Sequence, residues 1–171
     1  MDIIGQLQKD LIYALRTALP LDTIASLINK IDNINFGTNR EDNPLLFICS
    51  HHYANGDDYD ILNLLYAKGL DINMKCSKDG KTALILACCE KKSICFDFLL
   101  SKGADKSPKD NLGYTVGQYV EKNYIMKGLF EKYNYVKRTR LIGHNFVKIK
   151  ELLHSHCTSD TFRICIENSN L

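Results

Sequence analysis

The tightest cluster of metal-ligand types in the chain is His154-Ser155-His156-Cys157. Imidazole nitrogens and a thiolate suit zinc, but residues one and two apart on a helix point in different directions, and no second pair at ligand spacing follows. No metal centre is expected there; the end of a helix is. Cys49 beside His51 and His52 raises a second chemical question, because a thiolate becomes reactive next to a base or a positive field. Cys49 and Cys88 stand at matching places in successive segments of the chain, however, so small apolar filling between helices is the expected role, and Cys89 and Cys95 read the same way. Asp57, Asp58 and Asp60 bring three carboxylates together, but the glycine and terminal glutamate of a calcium loop do not follow, which leaves a solvated turn. The phosphate-cradling Gly-Lys-Ser/Thr, the dinucleotide Gly-x-Gly-x-x-Gly, the Gly-x-Ser-x-Gly elbow and the His-Glu-x-x-His zinc motif are all absent. Catalysis and bound cofactors are therefore not expected.

What must position any working residue is a chain of 171 residues, 45% hydrophobic and 25% charged, with 10 Gly, 3 Pro and a net charge of +2. That balance is ordinary for a folded globular protein and unlike disordered, collagenous or membrane-spanning chains. The longest apolar runs, such as Thr82 to Cys89, fall far short of the roughly 20 residues that span a bilayer. The opening MDIIGQLQKDLIYALRT lacks the basic start and cleavage site of a signal peptide. Seven cysteines at 49, 76, 88, 89, 95, 157 and 165 follow no regular spacing, which points to free thiols in a reducing, cytoplasmic setting. The excess of Ile, Lys and Asn, with Lys far above Arg and no Trp, has the look of an AT-rich genome.

The chain also repeats itself. Gly80-Lys81-Thr82 is echoed by Gly113-Tyr114-Thr115, 33 positions on, and Lys68-Gly69-Leu70-Asp71 by Lys102-Gly103-Ala104-Asp105, 34 positions on. Thr82, Thr115 and Asn43 before Pro44 have the chemistry of helix N-caps, so helices are predicted to start there. Gly69 and Gly103 follow helix-period apolar stretches, where a left-handed C-terminal cap needs glycine, so helices are predicted to stop at 68 and 102. The polar stretches 71–80 and 105–113 are suited to projecting hairpin-like loops. Further helices are predicted near 2–17, from Leu19-Pro20 with Ile24, Leu27, Ile28 and Ile31 as its stripe, and as a final pair from Gly113 to Tyr133. Val116, Tyr119 and Val120, then Ile125, Leu129 and Phe130, are the apolar positions of that final pair.

Short helix, turn, longer helix, exposed loop: this unit resembles the ankyrin repeat, most closely over Asp79 to Asp105, and the resemblance extends over about residues 19–135. It implies an all-α solenoid of stacked helix-turn-helix units with hairpin-like loops. The array would occupy 1–135, as a degenerate N-terminal cap at 1–38 and units at 39–76, 77–109 and 110–135. The second of these carries a helix–helix turn enlarged at His52 to Asp58. The histidine that ties adjacent loops in the family is replaced by Leu46, Ile85 and Gln118. Residues 136–171 would form a basic capping helix, over about 141–156, and a tail. That helix is predicted on the spacing of Ile142, Phe146, Ile149, Leu152 and Leu153, within a stretch rich in Lys137, Arg138, Arg140, Lys148 and Lys150.

The resemblance further implies a non-catalytic module that grips a protein partner on a concave surface of loop tips and first-helix residues. Carried over unit by unit, the contact positions are Asn39, Arg40, Asp42, Ser50 and His51, then Lys78, Asp79, Lys81, Cys89 and Glu90, then Asn111, Leu112, Tyr114, Lys122 and Asn123. Arg40, Leu112 and Tyr114 are the anchor candidates, because interface energy concentrates on aromatic and arginine side chains. A monomer is expected, with no small-molecule substrate, nucleic acid or membrane as partner. The biased composition and degenerate repeats extend this to a host-targeting effector of an intracellular bacterium or large DNA virus. The alternative is a repeat adaptor whose 136–171 segment binds an anionic surface or a metal, or carries a vestigial enzymatic function.

Overall fold

A computed structural model describes residues 3–51 and 56–134. The chain divides into two compact units, Met1–Glu131 and Lys132–Leu171. Of the second, only 132–134 are described, and they are helical. The predicted helix 141–156, the basic stretch around it, the His154 to Cys157 cluster and the turn residues 52–55 lie outside the described residues.

In the first unit the helices are α1 Ile3–Arg16, α2 Leu21–Lys30, α3 Pro44–Ser50, α4 Asp58–Ala67, α5 Ala83–Cys89, α6 Ser93–Ser101 and α7 Val116–Val120. Helical backbone resumes over 124–131. Among the described residues there is no β-strand, and an isolated antiparallel bridge joins Lys75 to Thr82. The all-α stack of helix pairs expected from the sequence is the fold found.

Local chemistry sets the helix starts. The Leu46 amide donates to Asn43 Oδ1 at 3.0 Å, with Pro44 in the first helical position, and the Ile85 amide donates to Thr82 Oγ1 at 3.3 Å. At α7 the Thr115 amide donates to the Gln118 side chain at 2.8 Å, the return bond of a capping box. The stops are equally local. Gly69 and Gly103 take φ of 85° and 84°, immediately after the caps Lys68 and Lys102. A Cβ on Gly103 would meet nothing within 4 Å, so its conformation alone is at stake. Gly103→Val is expected to cost about 1–2 kcal/mol, the strain of a left-handed β-branched residue, read as a lowered urea midpoint.

The helices form two layers. α1, α3, α5 and α7 pack in succession as one, α2, α4 and α6 as the other, and each pair α1–α2, α3–α4 and α5–α6 closes on itself. Between the layers lie Leu11, Leu15, Ile24 and Ile28, then Leu45, Leu46, Ile61, Leu62 and Leu65, then Leu84, Ile85, Leu86, Phe96 and Leu99, all buried. Each pair thus leaves an apolar face that the next pair covers. Cys49, Cys88 and Cys95 are buried among them, as small fillers.

Two expectations change. Asp58 does not sit in a solvated turn: it is buried at the start of α4, and Lys92 Nζ, also buried, lies 2.8 Å from its Oδ2. The stacking of α4 on α6 brings the two together across 34 residues, which no local pattern records. In the final pair, Ile125 is 49% exposed and Met126 is the buried residue. Asn123 Oδ1 accepts the Ile125 and Met126 amides and so starts the helix one residue out of the expected phase.

Loops without the tying histidine are joined by asparagine instead. Asn35 Oδ1 accepts the Asp71 amide at 2.7 Å while its Nδ2 donates to the Gly69 carbonyl at 2.9 Å. One unit on, Asn73 Oδ1 accepts the Asp105 amide at 2.8 Å. Nearer the tips, the Ser77 amide donates to the Thr38 carbonyl at 2.8 Å and the Asn111 amide to the Asp79 carbonyl at 3.0 Å.

Candidate partner-binding face

The first helices and the projecting loops build one face, and most of the contact positions inferred from the sequence fall on it. In the second loop, the Cys76 amide donates to the Lys81 carbonyl and the Gly80 amide to the Cys76 carbonyl, both at 2.8 Å, which closes a tight hairpin. In the first loop Asp42 Oδ1 accepts the Thr38 and Asn39 amides, and Asn39 Oδ1 accepts the Ser77 hydroxyl at 2.7 Å. The last loop is organised by Asp110, buried, whose Oδ1 accepts the Leu112 and Tyr114 amides.

Arg40, chosen as an anchor, bridges two units. Its Nη2 is hydrogen-bonded to Asp79 Oδ2, and its Nη1 lies 3.6 Å from Glu90 Oε1. Lys81 Nζ is 4.0 Å from the same Asp79 oxygen and 5.4 Å from the centre of the Tyr119 ring. Tyr119 donates its hydroxyl to Asp110 Oδ2 at 2.6 Å and meets Tyr114 edge to face at 6.1 Å. Leu112 and Tyr114 stand out at this end, 72% and 47% exposed. Towards the other end, His51 stacks on Phe47 at 4.3 Å, and its Nε2 lies 3.5 Å from Glu41 Oε1. Ser50 Oγ donates to the Leu46 carbonyl at 2.6 Å. Glu41 in turn pairs with Arg16 of α1 at 2.9 Å.

Lys78 and Asn111 are exposed at neighbouring loop tips, whereas Cys89 is half-buried at the end of α5. Lys122 and Asn123 are placed elsewhere, lining a pocket of about 340 Å³ with Lys91 and Ser93 at the helix–helix turns. Sequence reasoning missed Tyr13, Arg16, Glu41 and Tyr119. Tyr119 carried a signal, since it lies on α7 four residues after Thr115, but it read as a core position. Tyr13 and Arg16 belong to α1, ahead of residues 19–135, over which the repeat is read from the sequence. They line, with Ile12, Phe36 and Glu41, a pocket of about 440 Å³ between α1 and the first loop.

The electrostatics favour a fixed scaffold over reactive groups. Burial pushes the Cys88 thiol up to about 12 and raises Cys89 as well. Cys49 is raised by its hydrogen bond with Cys95 and by burial, and so holds no thiolate at neutral pH. His51 Nδ1 faces Ser50 Oγ and the Phe47 carbonyl, the ring stacked on Phe47. Among the described residues no three metal-ligating side chains come together, and no helix is long and apolar enough to cross a membrane. Burial alone would raise the Asp79 and Asp110 carboxyls. The Lys81 amide and Arg40 outweigh it at Asp79, and the Tyr119 hydroxyl with two amides at Asp110, so both are held below the ordinary aspartate value. A depressed carboxyl stabilises the fold above its unfolded value, about 4, and the contribution disappears as the pH falls through the folded value. The urea midpoint is therefore expected to drop as the pH falls below about 4, less steeply in Asp79→Asn.

A family model described as ankyrin repeats (3 copies) matches residues 11–110 and 46–134. A stretch of 52 residues is 44% identical to the ankyrin repeat and KH domain-containing protein mask-1 of Caenorhabditis elegans, covering 30% of this chain and 2% of that protein. The two-layer stack of helix pairs, the projecting loops tied tip to tip and this match over most of the length agree: the chain belongs to the ankyrin repeat family.

Proposed function

We propose that the chain is a non-catalytic protein-binding module that holds its partner on the concave ankyrin face of first helices and loops. The carrying observation is the apolar tip of the last loop, where Leu112 and Tyr114 are 72% and 47% exposed above a loop fastened by Asp110. Large apolar side chains held rigidly in water bind at little entropic cost, which is where interface energy gathers. Arg40, bound within the molecule by Asp79 and Glu90, acts as a clamp between loops. The raised thiols and the match to ankyrin repeats support a binding role without chemistry. The biased composition supports the narrower reading of an intracellular monomer whose partner is a host-cell protein.

Quantitative affinity capture from source-cell and candidate host-cell lysates tests this, wild type beside Leu112→Ala/Tyr114→Ala. Both residues are on the surface, so thermal unfolding is expected to stay unchanged while capture falls about tenfold or more. Equal capture by the two proteins would overturn the proposal, and a partner found in source cells alone would remove the host reading.

A further inference from the structure

The pocket of about 340 Å³ lies at the helix–helix turns, at the opposite ends of α5 and α7 from the projecting loops, and has a chemistry of its own. Lys91 and Lys122 both line it, and no carboxylate does among the described residues. The acids nearest in the chain are engaged elsewhere. Glu90 Oε1 lies 3.6 Å from Arg40 Nη1 on the inner face, and Glu121 Oε2 accepts Lys127 Nζ at 2.7 Å. Asp97, one turn further along α6, is not part of the lining, and the neighbouring Lys92 is buried against Asp58. Lys91 and Lys122 are exposed and make no ion pair among the described residues, so two positive charges stand here uncompensated.

Apolar surface surrounds the same charges. Tyr124 and Ile125 of the lining are 85% and 49% exposed, and Ile94, next to Ser93 of the lining, is 46% exposed. Lys91 is also strained. Its φ is 58°, in the left-handed region that glycine takes freely and lysine holds only at a cost in stability. A side chain kept against such a cost suits a position that serves something besides the fold. A small anion would satisfy the two ammonium groups but leave Tyr124 and the isoleucines in water, whereas a segment of polypeptide can cover both. We propose that the pocket at the turns docks an acidic, apolar segment of a protein partner, an aspartate or glutamate lying between Lys91 and Lys122 with its aliphatic or aromatic neighbours against Ile94, Tyr124 and Ile125. The apolar contacts supply most of the affinity, and the exposed lysines supply the choice of charge and the rate of encounter. This surface is separate from the concave face and adds a second docking place to the module.

Phage-displayed random short peptides, selected on the immobilised full chain and deselected on Lys91→Glu/Lys122→Glu, test it. The peptides that remain are expected to interleave Asp and Glu with aliphatic and aromatic residues. Their dissociation constants should rise about tenfold on Lys91→Glu/Lys122→Glu, and about threefold or more on Tyr124→Ala or between about 0.05 and about 0.5 M NaCl. Lys91→Gly separates function from fold, because it removes the charge and the backbone strain together. It should unfold at the parent's temperature or above while binding the peptides about threefold more weakly. Neutral or basic peptides, or none surviving deselection, would overturn the proposal. So would peptides released by Leu112→Ala/Tyr114→Ala but not by Lys91→Gly, a result that leaves the concave-face reading standing. Sedimentation with phosphatidylserine–phosphatidylcholine vesicles, abolished by Lys91→Glu/Lys122→Glu and unaccompanied by peptide enrichment, would assign the surface to a membrane and overturn a protein occupant.

Discussion

Lys92→Met is expected to destabilise the first unit by about 3–5 kcal/mol, because it leaves the Asp58 carboxylate buried without a counter-charge. Lys92 Nζ lies 2.8 Å from Asp58 Oδ2, and the two side chains are 6% and 9% exposed. Asp58 Oδ1 has no hydrogen-bond partner among the described residues, so the lysine carries nearly all the compensation. The reverse substitution, Asp58→Leu, strands the ammonium and should cost a similar amount. Asp58→Leu/Lys92→Met removes both charges and fills the same space with apolar atoms. By the general behaviour of buried pairs it should recover most of the loss, or exceed the parent. Urea unfolding of the four proteins gives the coupling directly. Single variants within about 1 kcal/mol of the parent would mean that water reaches the pair and that the α4–α6 contact is looser than its geometry implies.

This pair also marks where the sequence stops being readable. Helix starts and stops depend on a few adjacent residues, so Asn43-Pro44, Thr82 and Gly103 were legible and fell where expected. Register between units depends on how one helix pair sits on the next. Asp58 with Lys92, and Arg40 with Asp79 and Glu90, join positions 34 to 50 residues apart, and the enlarged turn between α3 and α4 breaks the even spacing that would have aligned them. The asparagine ties had a visible trace in the matching Asn33-Ile34-Asn35 and Asp71-Ile72-Asn73, whose last residues, Asn35 and Asn73, each accept an amide of the next loop. For the face itself, the loop-tip positions follow from the repeat, but α1 lies ahead of the segment whose repeat can be read by eye, and its Tyr13 and Arg16 became part of the face only through contact with the first loop.

The stiffness of that face should depend most on Gly80. Its φ is +70°, and a Cβ there would lie 2.3 Å from Asn111 Oδ1 and 2.9 Å from the Asn111 backbone nitrogen. Gly103 has φ of +84° and open space around it, so the two glycines separate backbone conformation from close approach. Alanine at either position should cost about 1–2 kcal/mol for the left-handed conformation. Gly80→Ala should lose about 1 kcal/mol more by pushing the last loop away and breaking the bond from the Asn111 amide to the Asp79 carbonyl. A total of about 2–3 kcal/mol is therefore expected against about 1–2 for Gly103→Ala. Adding Asn111→Ala to Gly80→Ala removes the side-chain collision but not the backbone one, so recovery should be partial. Because the same displacement moves Leu112 and Tyr114, affinity capture of the partner should be weaker with Gly80→Ala and unchanged with Gly103→Ala. Equal stability losses and equal binding in the two alanine variants would show that the loops are not fastened to one another through this contact, and a rigid inner face would no longer follow from the structure.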